Sequence, residues 1–328
     1  MIATSLTRLL EIELPVLQGG MSWVSHCGLA SAVSDAGGLG VLGAATMDPD
    51  ELAAEIEAMR IMTEQPFGVN VPLICVRPDG SDLTRALIDV VLASAAPIVI
   101  TGAGSAARYT AELKAAGKTV LHVVPSPELA LKAEAAGVDA VVAESNEAGG
   151  HVRADGLATL SLVPQVVDAV DCPVVAAGGI ADARGVLAAL ALGAGGAQLG
   201  TRFIATAECD AHAAYKRAIV AARAEDSAIY CRTHHASRGL VTQIVKELVE
   251  RERAGASARE LAELRGRHRA RLGCIEGELD EGICPVGSGV GLVRHTATVA
   301  EVMGEIASDL RRQLIELSHV LDVERSTS

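Results

Sequence analysis

Eight short apolar runs punctuate the first two thirds of this chain, each closing at or next to Gly, Pro, Ser or Asn. They are Pro15–Gly19, Leu39–Ala44, Gly68–Pro72, Ile98–Gly102, Val120–Pro125, Ala140–Glu144, Val174–Gly178 and Ala197–Thr201. Helix-patterned stretches lie between them, among them Pro49–Thr63, Leu83–Ala93, Arg108–Ala116, Glu128–Ala136 and Leu160–Val170. The runs are too apolar to alternate, as expected for strands buried on both faces. Strands alternating with helices imply right-handed crossovers and a parallel sheet. Eight such units in about 200 residues predict an α/β fold, a closed (β/α)8 TIM barrel. A doubly wound sheet is the rival, but no G-x-G-x-x-G follows the first run.

The remainder of the chain is an addition to that barrel. The chain has 328 residues, and a barrel needs about 250. Aromatic residues make up 2% and hydrophobic residues 50%, so the core must be Val, Ile, Leu and Ala. After Phe203 the sequence turns charged and helical in pattern, with prominent arginines such as Arg251, Arg253 and Arg265. Residues 209–275 are therefore expected to form a helical insertion, a lid beside the barrel mouth. Residues 1–208 and 276–328 are expected to form the barrel. A Gly-rich return, Gly282–Leu292, leads to a closing helix over Val299–Leu321.

Composition excludes several functions. The net charge is -13, and no basic stripe or aromatic platform is present, which argues against nucleic acid. No apolar run reaches membrane-spanning length and no signal-peptide pattern opens the chain, so a cytoplasmic protein is expected. Seven cysteines without C-x-x-C read as reduced thiols, with neither a disulfide framework nor zinc.

The chemistry concentrates at the ends of the runs. Ala177-Gly178-Gly179 follows the seventh and Gly200-Thr201 the eighth, with an Asp182-capped helix between them. Strand, glycine turn and helix aim free backbone N–H groups at a phosphate. The first run ends in Gln18-Gly19-Gly20-Met21-Ser22, where paired glycines let a flat ligand approach backbone and Met21 can pack on it. Asn70, ending the third, offers a donor and an acceptor to a ring edge. After the sixth run, Gly149-Gly150 places His151, a side chain suited to proton transfer near neutral pH. His234-His235, in the insertion, read as structural. Glu144 and Glu147 accompany His151 without a second His, so no metal is expected. A planar cofactor with one phosphate fits these pieces, and FMN fits best. Pyridoxal phosphate would need a Schiff-base Lys at a strand end, and there is none.

These motifs carry a resemblance. Gln18–Val24, Ala36–Gly40, Pro66–Asn70, Glu147–His151, Ala176–Ile180 and Gly200–Phe203 resemble those of the nitronate monooxygenase-like (2-nitropropane dioxygenase) superfamily of flavin barrels, over about Leu6–Leu317. Thr101–Gly104 and Val123–Ser126 are most similar to FMN-dependent enoyl-acyl carrier protein reductases. The resemblance implies FMN, NADH or NADPH as co-substrate, His151 as the catalytic histidine, and reduction of an enoyl thioester. On that reading protonated His151 assists the enolate step, and activity falls as pH rises through its pKa. Two departures stand out. The His motif continues as Val152-Arg153-Ala154, and nitronate monooxygenases of the main type carry Pro before the Met where this chain has Gly20. Oxidation of alkyl nitronates with O2, with His151 as base, is the first alternative. NAD(P)H:quinone reduction is a further one, and a flavin-binding module without turnover is the non-enzymatic one. An acyl carrier protein and a second copy of the chain are the candidate partners beyond a small-molecule substrate.

Overall fold

The structure is a computed structural model that describes residues 2–75, 82–266 and 268–321. Eleven strands occur among these residues: β1 Val16–Gln18, β2 Gly40–Gly43, β3 Phe67–Pro72, β4 Ile98–Gly102, β5 Thr119–Val124, β6 Ala140–Glu144, β7 Gly150–His151, β8 Val174–Ala177, β9 Gly196–Leu199, β10 Ser227–Tyr230 and β11 Ser237–Leu240. Eight of them form one parallel sheet in the order β1-β9-β8-β6-β5-β4-β3-β2. A parallel bridge between Leu17 and Leu39 joins the two ends and closes the barrel. These eight strands are the eight apolar runs, each shifted by no more than a residue or two at its ends.

Burial on both faces explains their composition. Alternate residues such as Leu17, Leu39, Ile100, Leu121, Val142 and Val175 fill the barrel interior, where Leu6 and Leu10 of the helix Ser5–Leu10 join them. The intervening residues, Val69, Val99, Val141 and Ala176 among them, pack outward against the helices. The helix Ala183–Ala191 starts as its sequence predicts, with the Asp182 carboxylate accepting from the backbone N–H of Arg184 and Gly185. Gly193, at φ +92°, turns the chain out of it. The C-terminal helix Val299–Leu321 packs on Ala183–Ala191 and on Cys27–Asp35.

Gln18 has a structural task at the seam. It is fully buried. Its Oε1 accepts from the Val41 N–H at 3.0 Å, and its Nε2 donates to the Val41 carbonyl at 3.1 Å and to Ser25 Oγ at 2.9 Å. The amide thus supplies hydrogen bonds where the β1–β2 ladder is short.

Residues 209–275 differ from the helical expectation in one respect. Helices Ala213–Ala221, Gln243–Arg253 and Ala258–Arg265 dominate, but β10 and β11 form an antiparallel hairpin. Its second strand pairs with β7, the two residues Gly150 and His151. Four-residue strands carry too few alternations to separate from short helical turns. Tyr230, Ile244, Val245, Leu248 and Leu261 give this segment a small core of its own. No helix among the described residues is long and apolar enough to cross a membrane.

Candidate functional site

A cavity of about 1030 Å³ opens at the C-terminal ends of the barrel strands, beneath the insertion. Gly19, Gly20, Met21, Ser22, Asn70, Gly149, His151, Ala177, Gly178, Gly179, Gly200 and Thr201 all line it. Of the residues expected there, Gln18 alone stands apart, since its amide is spent inside the seam.

One end of the cavity is a cradle of backbone donors. Gly178 (φ +113°) and Gly179 (φ +71°) bend the chain after β8. A Cβ on Gly178 would collide with Ser145 Oγ, so this turn is open only to glycine. The N–H groups of Gly178, Gly179 and Gly200 donate to no acceptor among the described residues. Thr201 opens the short helix Thr201–Ile204, whose first N–H groups have no partner within the helix. Thr201 Oγ1 accepts from the Gly287 N–H at 2.9 Å, which seats the Gly-rich return against the cradle. A Cβ on Gly179 would stand 3.2 Å from Ser288 Oγ, so Ser288 borders the same space. Free N–H groups converging at two adjacent strand ends suit a phosphate.

A flat wall leads away from the cradle. Gly20 lies directly on Asn70, and a Cβ on Gly20 would overlap the Asn70 Cβ. Asn70 Nδ2 donates to the Ile100 carbonyl at 3.3 Å, which leaves its Oδ1 free as an acceptor at the wall. The Met21 sulfur lies within 3.4 Å of where a Gly200 Cβ would stand, so wall and cradle are continuous. These features fit FMN: an anion cradle at one end and a glycine-flattened, sulfur-edged surface beside it.

The opposite side is built by the small sheet. Its register places His151 opposite Ser237, and Ser237 opposite Tyr230. Residues in one row across a sheet point to one face, and all three line the cavity. Arg265, from the last turn of Ala258–Arg265, lies across this row. It donates to Ser237 Oγ at 3.2 Å and to the His235 carbonyl at 3.3 Å. Its Nη2 is 3.4 Å from His151 Nε2, and its guanidinium carbon stands 6.0 Å from the Tyr230 ring centroid. Because a guanidinium only donates, His151 Nε2 is the acceptor and Nδ1 carries the imidazole hydrogen.

This arrangement corrects the expected charge of His151. Its edge is open to the cavity, but the surrounding protein disfavours the cation. Desolvation foremost, then the charges of Arg265 and His235, push its pKa down to about 4. At neutral pH the imidazole is neutral, and the cation on this face is Arg265. A second titratable group lines the same cavity. The carboxyl of Glu144, at the end of β6, makes no hydrogen bond with a described residue, and burial raises its pKa to about 7.

The sequence marks Arg265 only as one of several prominent arginines in a charged segment, and nothing local gives it a role at the site. His234 and His235, expected to be structural, line the cavity, with their ring centroids 4.1 Å apart. Ser288 belongs to a return whose glycines were visible but whose destination was not.

Comparison with known proteins agrees with this geometry. The profile of nitronate monooxygenases matches residues 3–82 and 79–309. FabK from Thermotoga maritima superposes with a TM-score of 0.91 at 39% identity, over 98% of this chain and 100% of that one. A nitroalkane oxidase from Streptomyces ansochromogenes superposes with a TM-score of 0.83 at 30% identity, over 96% and 100%. A Mycobacterium tuberculosis protein named (3aS,4S,5R,7aS)-5-hydroxy-7a-methyl-1-oxo-octahydro-1H-indene-4-carboxyl-CoA dehydrogenase is 37% identical over 265 residues, 80% of this chain and 71% of that protein. A barrel of this topology, a cradle of free backbone N–H groups after β8 and β9, and a profile match along nearly the whole chain converge on one conclusion: the chain belongs to the nitronate monooxygenase family of flavin-dependent oxidoreductases.

Proposed function

We propose that this chain binds FMN non-covalently and uses NADH or NADPH to reduce an α,β-unsaturated acyl thioester. The observation that carries the reading is the Arg265–His151 pair facing the glycine cradle across one cavity. The full-length likeness to FabK supports the reductase reading.

Gly178, Gly179, Gly200 and Thr201 would hold the phosphate, and Gly20, Met21 and Asn70 would bound the ring. When bound, the flavin supplies hydride transfer between the nicotinamide and the substrate. The protein supplies the rest. Reduction of a conjugated thioester builds negative charge on its carbonyl oxygen, and a fixed cation in a shielded site stabilises such charge well. Arg265 is that cation. It is held by Ser237 and the His235 carbonyl, so little reorganisation is needed when charge develops. His151, neutral with its hydrogen on Nδ1, orients the oxygen or relays the proton to the α-carbon. Glu144 is a carboxyl that is half protonated near neutral pH, available as a donor to a polar ring edge.

Nitronate oxidation is the second reading, favoured by the nitroalkane oxidase likeness. The same Arg265 cation would bind the nitronate oxygens. Anaerobic mixing of the purified holoenzyme with NADH, NADPH and an alkyl nitronate, read at the flavin absorbance band, separates the two. Fast bleaching by a pyridine nucleotide, followed by reoxidation with an enoyl thioester, is expected. Bleaching by the nitronate alone would transfer the assignment to the second reading.

A further inference from the structure

The sheet that carries His151 has a second cavity behind it. Tyr230, Ser237 and His151 face the first cavity, while their neighbours of opposite parity, Ile229 and Arg238, line another of about 520 Å³. That volume lies within the range of about 300–1,000 Å³ typical of small-ligand sites. The turn between β10 and β11 is the rim common to both. Its Cys231, His234 and His235 belong to the first cavity, its Arg232 and Thr233 to the second. Cys231 and His235, each at φ +53°, bracket this turn in a conformation that non-glycine residues rarely adopt.

Three arginines converge on the second cavity, Arg232, Arg238 and Arg253, in a chain of net charge -13. Their nearby counterparts are neutralised: Arg251 pairs with Glu247 and Arg259 with Glu263. Arg232 and Arg253 form no ion pair with a described residue. Glu252 is the acidic lining residue, and its Oε1 accepts from the N–H and hydroxyl of Thr233. Arg238 donates through Nε to the Asn146 carbonyl and through Nη1 to Ser227 Oγ, and burial weakens its hold on its proton. A half-desolvated, pre-oriented guanidinium with two freer ones beside it, over an apolar floor of Ile229 and Val249, fits several phosphates joined to an apolar or aromatic body.

We propose that the second cavity binds the phosphorylated adenosine diphosphate end of a ligand whose reactive end enters the first cavity over the Cys231–His235 turn. NADPH and coenzyme A thioesters both carry that moiety, with a ribose phosphate at the 2′ or the 3′ position. The proposal deepens the reductase reading and rests on it for the identity of the reactive end.

Calorimetric titration of the FMN-loaded holoenzyme with 2′,5′-ADP and 3′,5′-ADP tests the site without turnover. In an Arg232→Ala/Arg253→Ala double variant, affinity for at least one of them falls by roughly ten-fold or more, as loss of charge-assisted phosphate contacts requires. Arg311→Ala, on the C-terminal helix, leaves affinity unchanged. A rise in KM for NADPH but not NADH identifies the coenzyme as the source. A rise for a coenzyme A thioester but not its N-acetylcysteamine counterpart identifies the substrate. Binding of neither nucleotide at millimolar concentration, or equal affinity in the double variant and the parent protein, overturns the proposal. If the reductase reading fails while the arginine-dependent nucleotide binding remains, the site stands and only its reactive partner changes.

Discussion

The Arg265 guanidinium lies 3.4 Å from His151 Nε2 although the two are 114 positions apart, so the helix Ala258–Arg265 brings a cation to an imidazole held on β7. The two are joined through the register of β7, β11 and β10, with Ser237 between them as a common support. This relationship makes residues 209–275 part of the cavity wall that carries His151.

The first prediction concerns that pair. Removing the Arg265 charge in Arg265→Ala relieves part of what disfavours the His151 cation, so the imidazole pKa moves up from about 4 while staying below its ordinary value, because desolvation is the larger cause. An NMR pH titration of the His151 ring reads this directly. The kcat of the variant falls by about 10²–10³-fold with FMN retained, the range for losing one preorganised donor. An unchanged titration midpoint would show that the two groups do not interact.

His151→Ala is expected to keep FMN and lose about 10²–10⁴-fold in turnover, the range for a positioned acid or base. Its pH dependence has a definite sign. The neutral form predominates above about pH 4, so the His151-dependent limb of the rate profile is flat between pH 6 and 8 and falls only as pH drops toward 4. A limb centred near pH 6.5 and falling as pH rises would restore the protonated imidazole as the acting form.

The cradle predicts one non-covalent FMN per chain, identified by mass spectrometry of the released cofactor. Gly200 has an ordinary φ, and a Cβ there would meet only the Met21 sulfur, at 3.4 Å. Gly200→Val therefore folds normally and weakens FMN binding by about ten-fold or more, measured by flavin fluorescence quenching, since its methyl groups occupy the anion's space. Gly179→Val also forces a β-branched residue to φ +71° and loses thermal stability besides. Wild-type FMN affinity in both would displace the phosphate from these loops.

Glu144 gives the apoprotein a recognisable pH dependence. Its raised pKa means that the folded state holds a proton the unfolded chain releases between about pH 4.3 and 7. The resulting contribution is fully present below the unfolded pKa and is lost as pH rises through 7. Glu144→Gln removes that loss, so the gap in Tm between pH 5 and pH 8 narrows. An unchanged gap would place the alkaline loss elsewhere.

Gln18→Ala leaves the Val41 N–H and carbonyl without their side-chain partner inside the barrel. The expected cost is about 1–3 kcal/mol by urea unfolding, the penalty for buried groups left unpaired. Gln18→Glu costs more, because the carboxylate cannot donate to the Val41 carbonyl. Full stability in the Ala variant would mean that the seam is closed by the backbone alone.

Most of the barrel was legible in the chain because its cause is local. A strand buried on both faces must be apolar throughout, and a helix beside it must start at a cap and stop at a glycine, as Asp182 and Gly193 do. The glycine cradle was legible for the same reason: a left-handed turn such as that at Gly178 excludes every other residue, so the requirement is written in the residue type. The flat wall at Gly20 followed likewise. The tertiary structure decided what depends on partners distant along the chain. Gln18 reads as part of the cofactor-binding turn until β2 is seen beside it. Arg265 is one arginine among many until the four-residue strands β10 and β11 pair with His151 and bring its helix across the cavity. The charge of His151 depended on the same assembly, since desolvation and a neighbouring cation are properties of what surrounds a group, and neither is carried by the residue itself.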